Sequence, residues 1–320
     1  MKRFLSCVLP LLLSFGLIFN CTGCSTVLVL AGKARENSEA SSSVISESSA
    51  SSGVISTPVL AEDGDLRAFY TDVANAESVT VMVYMIGSDL ESEDGSATDD
   101  LLEMADAALS ENIHLVLQTG GTETWWNDVC TDDESERFVI ENGDMTLLQN
   151  LGSVNMTDAD TLSDFIRFSA ESYPADRYEL ILWDHGGGTM TGFGYDELYE
   201  DTSLTLSSLS TALYNGGVQF DFIGFDACLM ATAEVAYALD PYADYLIASE
   251  ESEPGEGWAY KNWLTMLAEN PAVPTAELGK KLADDFLEAY IFADMPTLSV
   301  LDLRYVPELY AALESYWGSA

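Results

Sequence analysis

From Val79 onward six short apolar runs recur along the chain. They are VTVMVYMI (79–86), IHLVLQT (113–119), YELILWD (178–184), FDFIGFD (220–226), ADYLIAS (243–249) and TLSVLDL (297–303). Each is rich in β-branched and aromatic residues and nearly continuous in its hydrophobicity. That pattern suits strands buried on both faces, as in a parallel sheet. Between them lie stretches with helical spacing at Ala97–Ser110, Asp160–Ser172, Leu206–Asn215, Leu229–Leu239 and Thr275–Tyr290, with one more at Val306–Trp317. The alternation predicts a layered α/β fold, a mostly parallel central sheet flanked by helices and joined by right-handed crossovers. ERFVIENG and MTLLQN, within 136–150, read as a polar-flanked hairpin added on one edge.

The first 60 residues follow neither period. Lys2 and Arg3 precede a mostly apolar stretch from Phe4 to Phe19, the layout of an export signal over residues 1–23. Thr22-Gly23-Cys24 resembles the end of a bacterial lipobox, with Cys21 where Leu is usual. Cleavage and lipidation at Cys24 are expected, with simple secretion as the alternative. The pair Cys21 and Cys24 spells C-x-x-C, but it sits in a processing segment without further ligands. Residues 24–60 are expected to be a flexible tether, dominated by Ser between 34 and 57. The folded domain is expected over residues 61–320.

Composition narrows the partners. Lys and Arg number 12 against 54 Asp and Glu, a formal net charge of −42. A nucleic-acid backbone needs a basic face, and an anionic membrane surface repels such a chain, which leaves a lipid anchor as the membrane route. Cationic substrates are favoured. With 48% hydrophobic residues the chain can bury a sizeable core, and five cysteines are too few for a disulfide scaffold.

In a parallel sheet, chemistry gathers beyond the carboxyl ends of the strands. The chain has two histidines. His114 lies inside an apolar strand and reads as a strand-face residue. His185 directly follows YELILWD and precedes three glycines, whose backbone N–H groups are open to a ligand. Cys228 follows FDFIGFD and stands at the start of the helix expected over Leu229–Leu239, where a helix N-terminus would favour a thiolate. Neighbouring parallel strands would bring both side chains to one edge, as a Cys/His hydrolase requires. Taken singly, each also fits a structural role, a buried Cys and a His in a Gly-rich turn.

YMIGSDLE, LQTGG, YPADRYELILWDHGGG, GFDACLMA, YLIASEE and PGEGW together resemble the clostripain-like cysteine peptidases, of the same clan as caspases, gingipains and legumain. The resemblance covers about residues 79 to 303. It implies a caspase-like fold and cleavage of proteins or peptides after Arg or Lys. It implies Cys228 as nucleophile, His185 as proton shuttle and the N–H groups of Gly186 and Cys228 as oxyanion hole. Asp226 matches the family's S1 position, where a carboxylate pairs with a basic side chain. A second S1 acid is expected from SEESEPGEGW, with Glu250 nearest the strand end and Glu251, Glu253 and Glu256 open. No third orienting residue is evident. Relatives often continue beyond the point corresponding to WGSA, so truncation at the C-terminus stays open.

No cofactor is required by this chemistry. Calcium is kept as an option because GSDLESEDGSATDD (87–100) is dense in acids and some relatives are calcium-activated, although EF-hand order is lacking. An esterase reading of HGGG fails for want of a G-x-S-x-G elbow. A zinc hydrolase fails for want of ligands. The rival from another class is a surface binding module on an inactive peptidase fold.

Overall fold

The computed structural model describes residues 66–199, 202–290 and 296–318. The expectations for residues 1–60, Cys24 among them, lie outside these.

The strands are β1 (Val79–Ile86), β2 (Ile113–Gly120), β3 (Ser135–Glu141), β4 (Asp144–Gly152), β5 (Arg177–Trp183), β6 (Phe220–Asp226), β7 (Ala243–Ala248) and β8 (Ser299–Asp302). They form one sheet in the order β4-β3-β2-β1-β5-β6-β7-β8. The five central strands run parallel. The β3–β4 hairpin closes one edge antiparallel and β8 closes the other. Chain order therefore reverses at β1, which lies between β2 and β5. A reversal of this kind opens a crevice at the carboxyl edge.

The helices are α1 (Ser88–Ser92), α2 (Ser96–Ala105), α3 (Ala159–Ser172), α4 (Gly188–Thr191), α5 (Leu206–Gly216), α6 (Ala233–Leu239), α7 (Tyr260–Glu269), α8 (Thr275–Ala289) and α9 (Val306–Gly318). On β1, Val79, Val81, Val83 and Met85 pack with α2, α7 and α8, while Met82, Tyr84 and Ile86 pack with α3, α5 and α6. The two-residue period of the strand thus feeds two cores, one on each face. In α3 the buried residues Leu162, Phe165, Ile166 and Ser169 share one stripe, and the Asp158 side chain caps its first turn by accepting from Asp160 N–H.

The short helices α1 and α4 were not expected, α2 ends at Ala105 rather than Ser110, and two further helices differ from expectation. The α6 helix begins only at Ala233, capped by the Thr232 side chain. Leu229 has φ 65°, a left-handed conformation that breaks any helix starting there. The α7 helix is absent from the sequence-based expectations, although Tyr260, Trp263, Leu264 and Leu267 form its buried stripe.

Arg177, at the opposite end of the sheet, is fully buried. Its guanidinium bonds the carbonyls of Pro271 (2.6 Å) and Val273 (2.9 Å), Glu179 (3.1 Å) and Asp221.

Candidate active site

His185 follows β5 through Asp184, and Cys228 follows β6 through Ala227. These strands are parallel neighbours, with Trp183 paired to Asp226. Their register brings both side chains to the same carboxyl edge, where they line one cleft of about 240 Å3 with Leu90, Asp226 and Glu253. The two loops are stitched together. Asp184 N–H donates to Asp226 C=O at 3.2 Å. A β-carbon at residue 186 would overlap the carbonyl oxygen of Cys228, so only glycine lets the loops approach this closely.

Cys228 stands on a loop ahead of α6 rather than at a helix N-terminus, which corrects that part of the sequence reading. What holds it instead is the segment after β7. Leu229 N–H donates to Glu251 C=O at 3.0 Å, and Ala231 N–H to Ser249 C=O at 2.8 Å. Glu253 N–H donates to the Cys228 sulfur at 3.3 Å. Cys228 is half-buried and opens on the cleft, whereas Cys130 is buried and burial pushes its thiol up to about 12. Of the two, Cys228 is the one placed for chemistry.

His185 is also half-exposed. Its Nε2 lies 2.7 Å from Asp89 Oδ1, a partner the sequence reading missed. His114 is a half-buried strand residue against the Tyr173 ring, as expected.

The cleft floor is acidic. Asp226 is buried; Trp258 N–H (3.0 Å) and the Tyr260 hydroxyl (2.8 Å) donate to it. The carboxyl oxygens of Glu253 are buried too, beside Asp226. Desolvation raises both carboxyls, and the Asp226 charge adds to the rise at Glu253. Asp100 lies beneath them, buried, with Trp183 Nε1–H donating to it at 2.6 Å, and desolvation raises it well above the carboxylate range. Among the described residues no Lys or Arg lines the cleft.

Glu250 does not join this group. It accepts from Ser299 Oγ at 2.5 Å and lines a separate groove with Ala233, Ala236 and Leu309. The chain bends at Glu250 and Glu251, so the acid nearest the strand end turns away, and Glu253 lines the cleft beside Asp226. The acids of 87–100 also part company: Asp89 meets His185, Glu91 binds Thr98 and Trp126 N–H, and Asp100 binds Trp183. Among the described residues no group of three His, Cys, Asp or Glu side chains is arranged to hold a metal ion.

A model of the clostripain family matches residues 83–317. Clostripain of Hathewaya histolytica is 29% identical over 217 residues, 58% of this chain and 41% of that protein. The chain thus spans about two-fifths of that relative's length. A secreted C11 cysteine protease from Bacteroides thetaiotaomicron, solved with an irreversible peptide inhibitor, shares the fold at TM-score 0.61 and 23% identity, over 74% of this chain and 69% of its own. An inactive zymogen C11 protease from Parabacteroides distasonis gives TM-score 0.58 at 26% identity, over 74% of this chain and 65% of its own.

Proposed function

The chain belongs to the clostripain family, and from that premise we propose that it is an exported cysteine endopeptidase cutting after Arg or Lys through Cys228 and His185. The observation that carries the reading is the cleft itself, where a half-exposed thiol and an imidazole share walls with the carboxyl groups of Asp226 and Glu253 and, among the described residues, with no Lys or Arg.

In this reading the Cys228 sulfur attacks the scissile carbonyl carbon. His185 takes up the thiol proton and delivers it to the departing amine. The N–H groups of Gly186 and Cys228 receive the developing oxyanion, a role supported by the close approach of these two loops. Water then attacks the thioester and frees the acid, with His185 as base. A substrate Arg or Lys side chain enters beside Asp226 and Glu253. Charge-assisted bonds from a guanidinium or ammonium would engage the carboxyl groups of Asp226 and Glu253.

Export is supported by the N-terminal pattern and by the description of the Bacteroides thetaiotaomicron relative as secreted. Among the described residues no helix is long and apolar enough to cross a membrane. Lipid attachment at Cys24 is part of the proposal. Metabolic fatty-acid labelling of the full chain in a bacterial host tests it, and unlabelled protein starting downstream of Cys24 would replace it by simple secretion. Calcium activation remains a proposal, read by cleavage with and without a chelator.

The central test is digestion of a peptide library by the exported protein, wild type against Cys228→Ala and His185→Ala. Cuts after Arg and Lys that vanish in both variants are expected. Cuts mainly after Asp or apolar residues would overturn the specificity. Folded wild-type protein without any turnover would favour a binding module.

A further inference from the structure

We propose that Asp89 is a positioning residue for His185, so that the reacting groups form a line across three adjacent strands. The proposal rests on the reading of Cys228 and His185 as the reacting pair. Asp89 follows β1, His185 follows β5 and Cys228 follows β6, and these strands are consecutive neighbours in the sheet. The loop carrying the imidazole therefore lies between the loops carrying the carboxylate and the thiol.

The 2.7 Å approach of Asp89 Oδ1 to His185 Nε2 assigns the ring nitrogens. An ionised carboxylate only accepts hydrogen bonds, so Nε2 carries the proton. Nδ1 is then the nitrogen left to exchange a proton with the thiol and the leaving amine. In acylation the S–C bond forms, the C–N bond breaks, and the thiol proton travels by Nδ1 to the amine. Without Asp89 the ring is free to rotate and to populate the other tautomer, and fewer molecules present a proton where the amine departs.

The contact is built from beneath. Ser88, just before Asp89, is fully buried and has φ 49°, a left-handed value uncommon for a residue with a side chain. Its N–H donates to Gly121 C=O at 3.1 Å, and its hydroxyl donates to Asp184 Oδ1 at 2.7 Å. Asp184 directly precedes His185, and Tyr195 N–H also donates to it. The two residues that bond each other, Ser88 and Asp184, are thus the chain neighbours of the two that pair above them. In-register pairing of Met85 with Trp183 sets the level of both turns.

Stability is not what this pair provides. Asp89 and His185 are 45% and 43% exposed, and exposed ion pairs contribute little to folding. Orientation remains as the effect, and orientation of a general acid acts on the chemical step.

The test uses the full chain with Asp89→Asn, Asp89→Ala and Asp89→Glu, and Cys228→Ala as control. Two substrates with the same basic residue are compared, a peptide amide and a p-nitrophenyl ester, with acylation followed in single turnover. The ester's leaving group departs without a proton. For Asp89→Ala and Asp89→Asn, amide acylation should slow by about tenfold or more. KM should stay within about twofold, ester acylation should fall much less, and the melting temperature should hold. Asp89→Glu should recover part of the amide rate. An inactive Cys228→Ala beside wild-type amide rates in the Asp89 variants would overturn the positioning role alone. Equal losses on both substrates, with raised KM, would also overturn it, as a structural effect. Turnover by Cys228→Ala would instead bring down the catalytic reading on which the proposal stands.

Discussion

The α-carbon of Gly186 faces the carbonyl oxygen of Cys228 so closely that no β-carbon fits between them. The Cys228 loop and the His185 loop are in backbone contact, and this contact sets the distance between the two side chains proposed to react. A substituent at residue 186 must push the loops apart.

Gly186→Ala should therefore cut kcat/KM for a basic peptide by about a hundredfold or more, since misplacement of about 1 Å has that effect. The far-UV spectrum should be unchanged. Activity assays beside circular dichroism check this, and a fully active Gly186→Ala would show that the loops are not locked.

The basic-residue preference should depend on Asp226 and Glu253 and not on Glu250. Asp226→Asn and Glu253→Gln should raise KM for Arg and Lys substrates, because each removes from the cleft a carboxyl group that can ionise beside a bound cation. Glu250→Gln should leave it unchanged, because Glu250 lines the other groove. Alkylation of Cys228 by iodoacetamide should proceed in all three. A specificity loss confined to Glu250→Gln would reverse the assignment.

Stability should fall as pH rises from 5 to 8. Burial lifts Asp184 to about 7, and desolvation likewise raises Asp100, Glu179, Asp226 and Glu253. These groups keep their protons in the folded chain at pH values where the unfolded chain has lost them. The stability they contribute is complete below the unfolded value near 4, and for Asp184 is lost as pH climbs through about 7. Asp164, lowered by its bond to Arg137, acts below this window. Melting temperatures should decline across pH 5–8, and an Arg-containing peptide inhibitor should restore more at pH 8 than at pH 5. A rising curve would contradict the burial argument.

The protein should work as one chain between His185 and Cys228. Positions 186–227 contain no Lys or Arg. The nearest upstream basic residue, Arg177, is fully buried and held by two carbonyls and two carboxylates, so it is closed to a protease. Intact mass after activity appears should show no break in that interval. Two stoichiometric fragments joined non-covalently would refute this.

Arg177→Met should destabilise the fold by about 3–5 kcal/mol, because it strands Asp221 as a buried, uncompensated charge and takes from Glu179 its cationic partner. Urea unfolding measures this. A change under about 1 kcal/mol would mean that water reaches that network.

The sequence by itself determined the layers and the edge at which His185 and Cys228 come together. Strands such as Val79–Ile86 and Phe220–Asp226 are buried on both faces, and that leaves a continuous apolar signature. Residues just past such strands fall at one edge whatever the details, so His185 and Cys228 were legible from position alone. The α7 stripe at Tyr260, Trp263, Leu264 and Leu267 was present in the sequence but unread, masked by the Gly- and Pro-rich turn before it. Other features were decided only in three dimensions. Asp89 and His185 lie 96 residues apart, and they meet because β5 crosses back to lie beside β1. The start of α6 depended on the left-handed turn at Leu229, which the contacts to Ser249 and Glu251 impose. The choice of Glu253 over Glu250 depended on which way each side chain leaves the segment after β7. Pattern along a chain records burial against water, which each residue meets locally. Pairing between distant strands and the direction of a single side chain depend on how the whole sheet closes, and no local period carries that information.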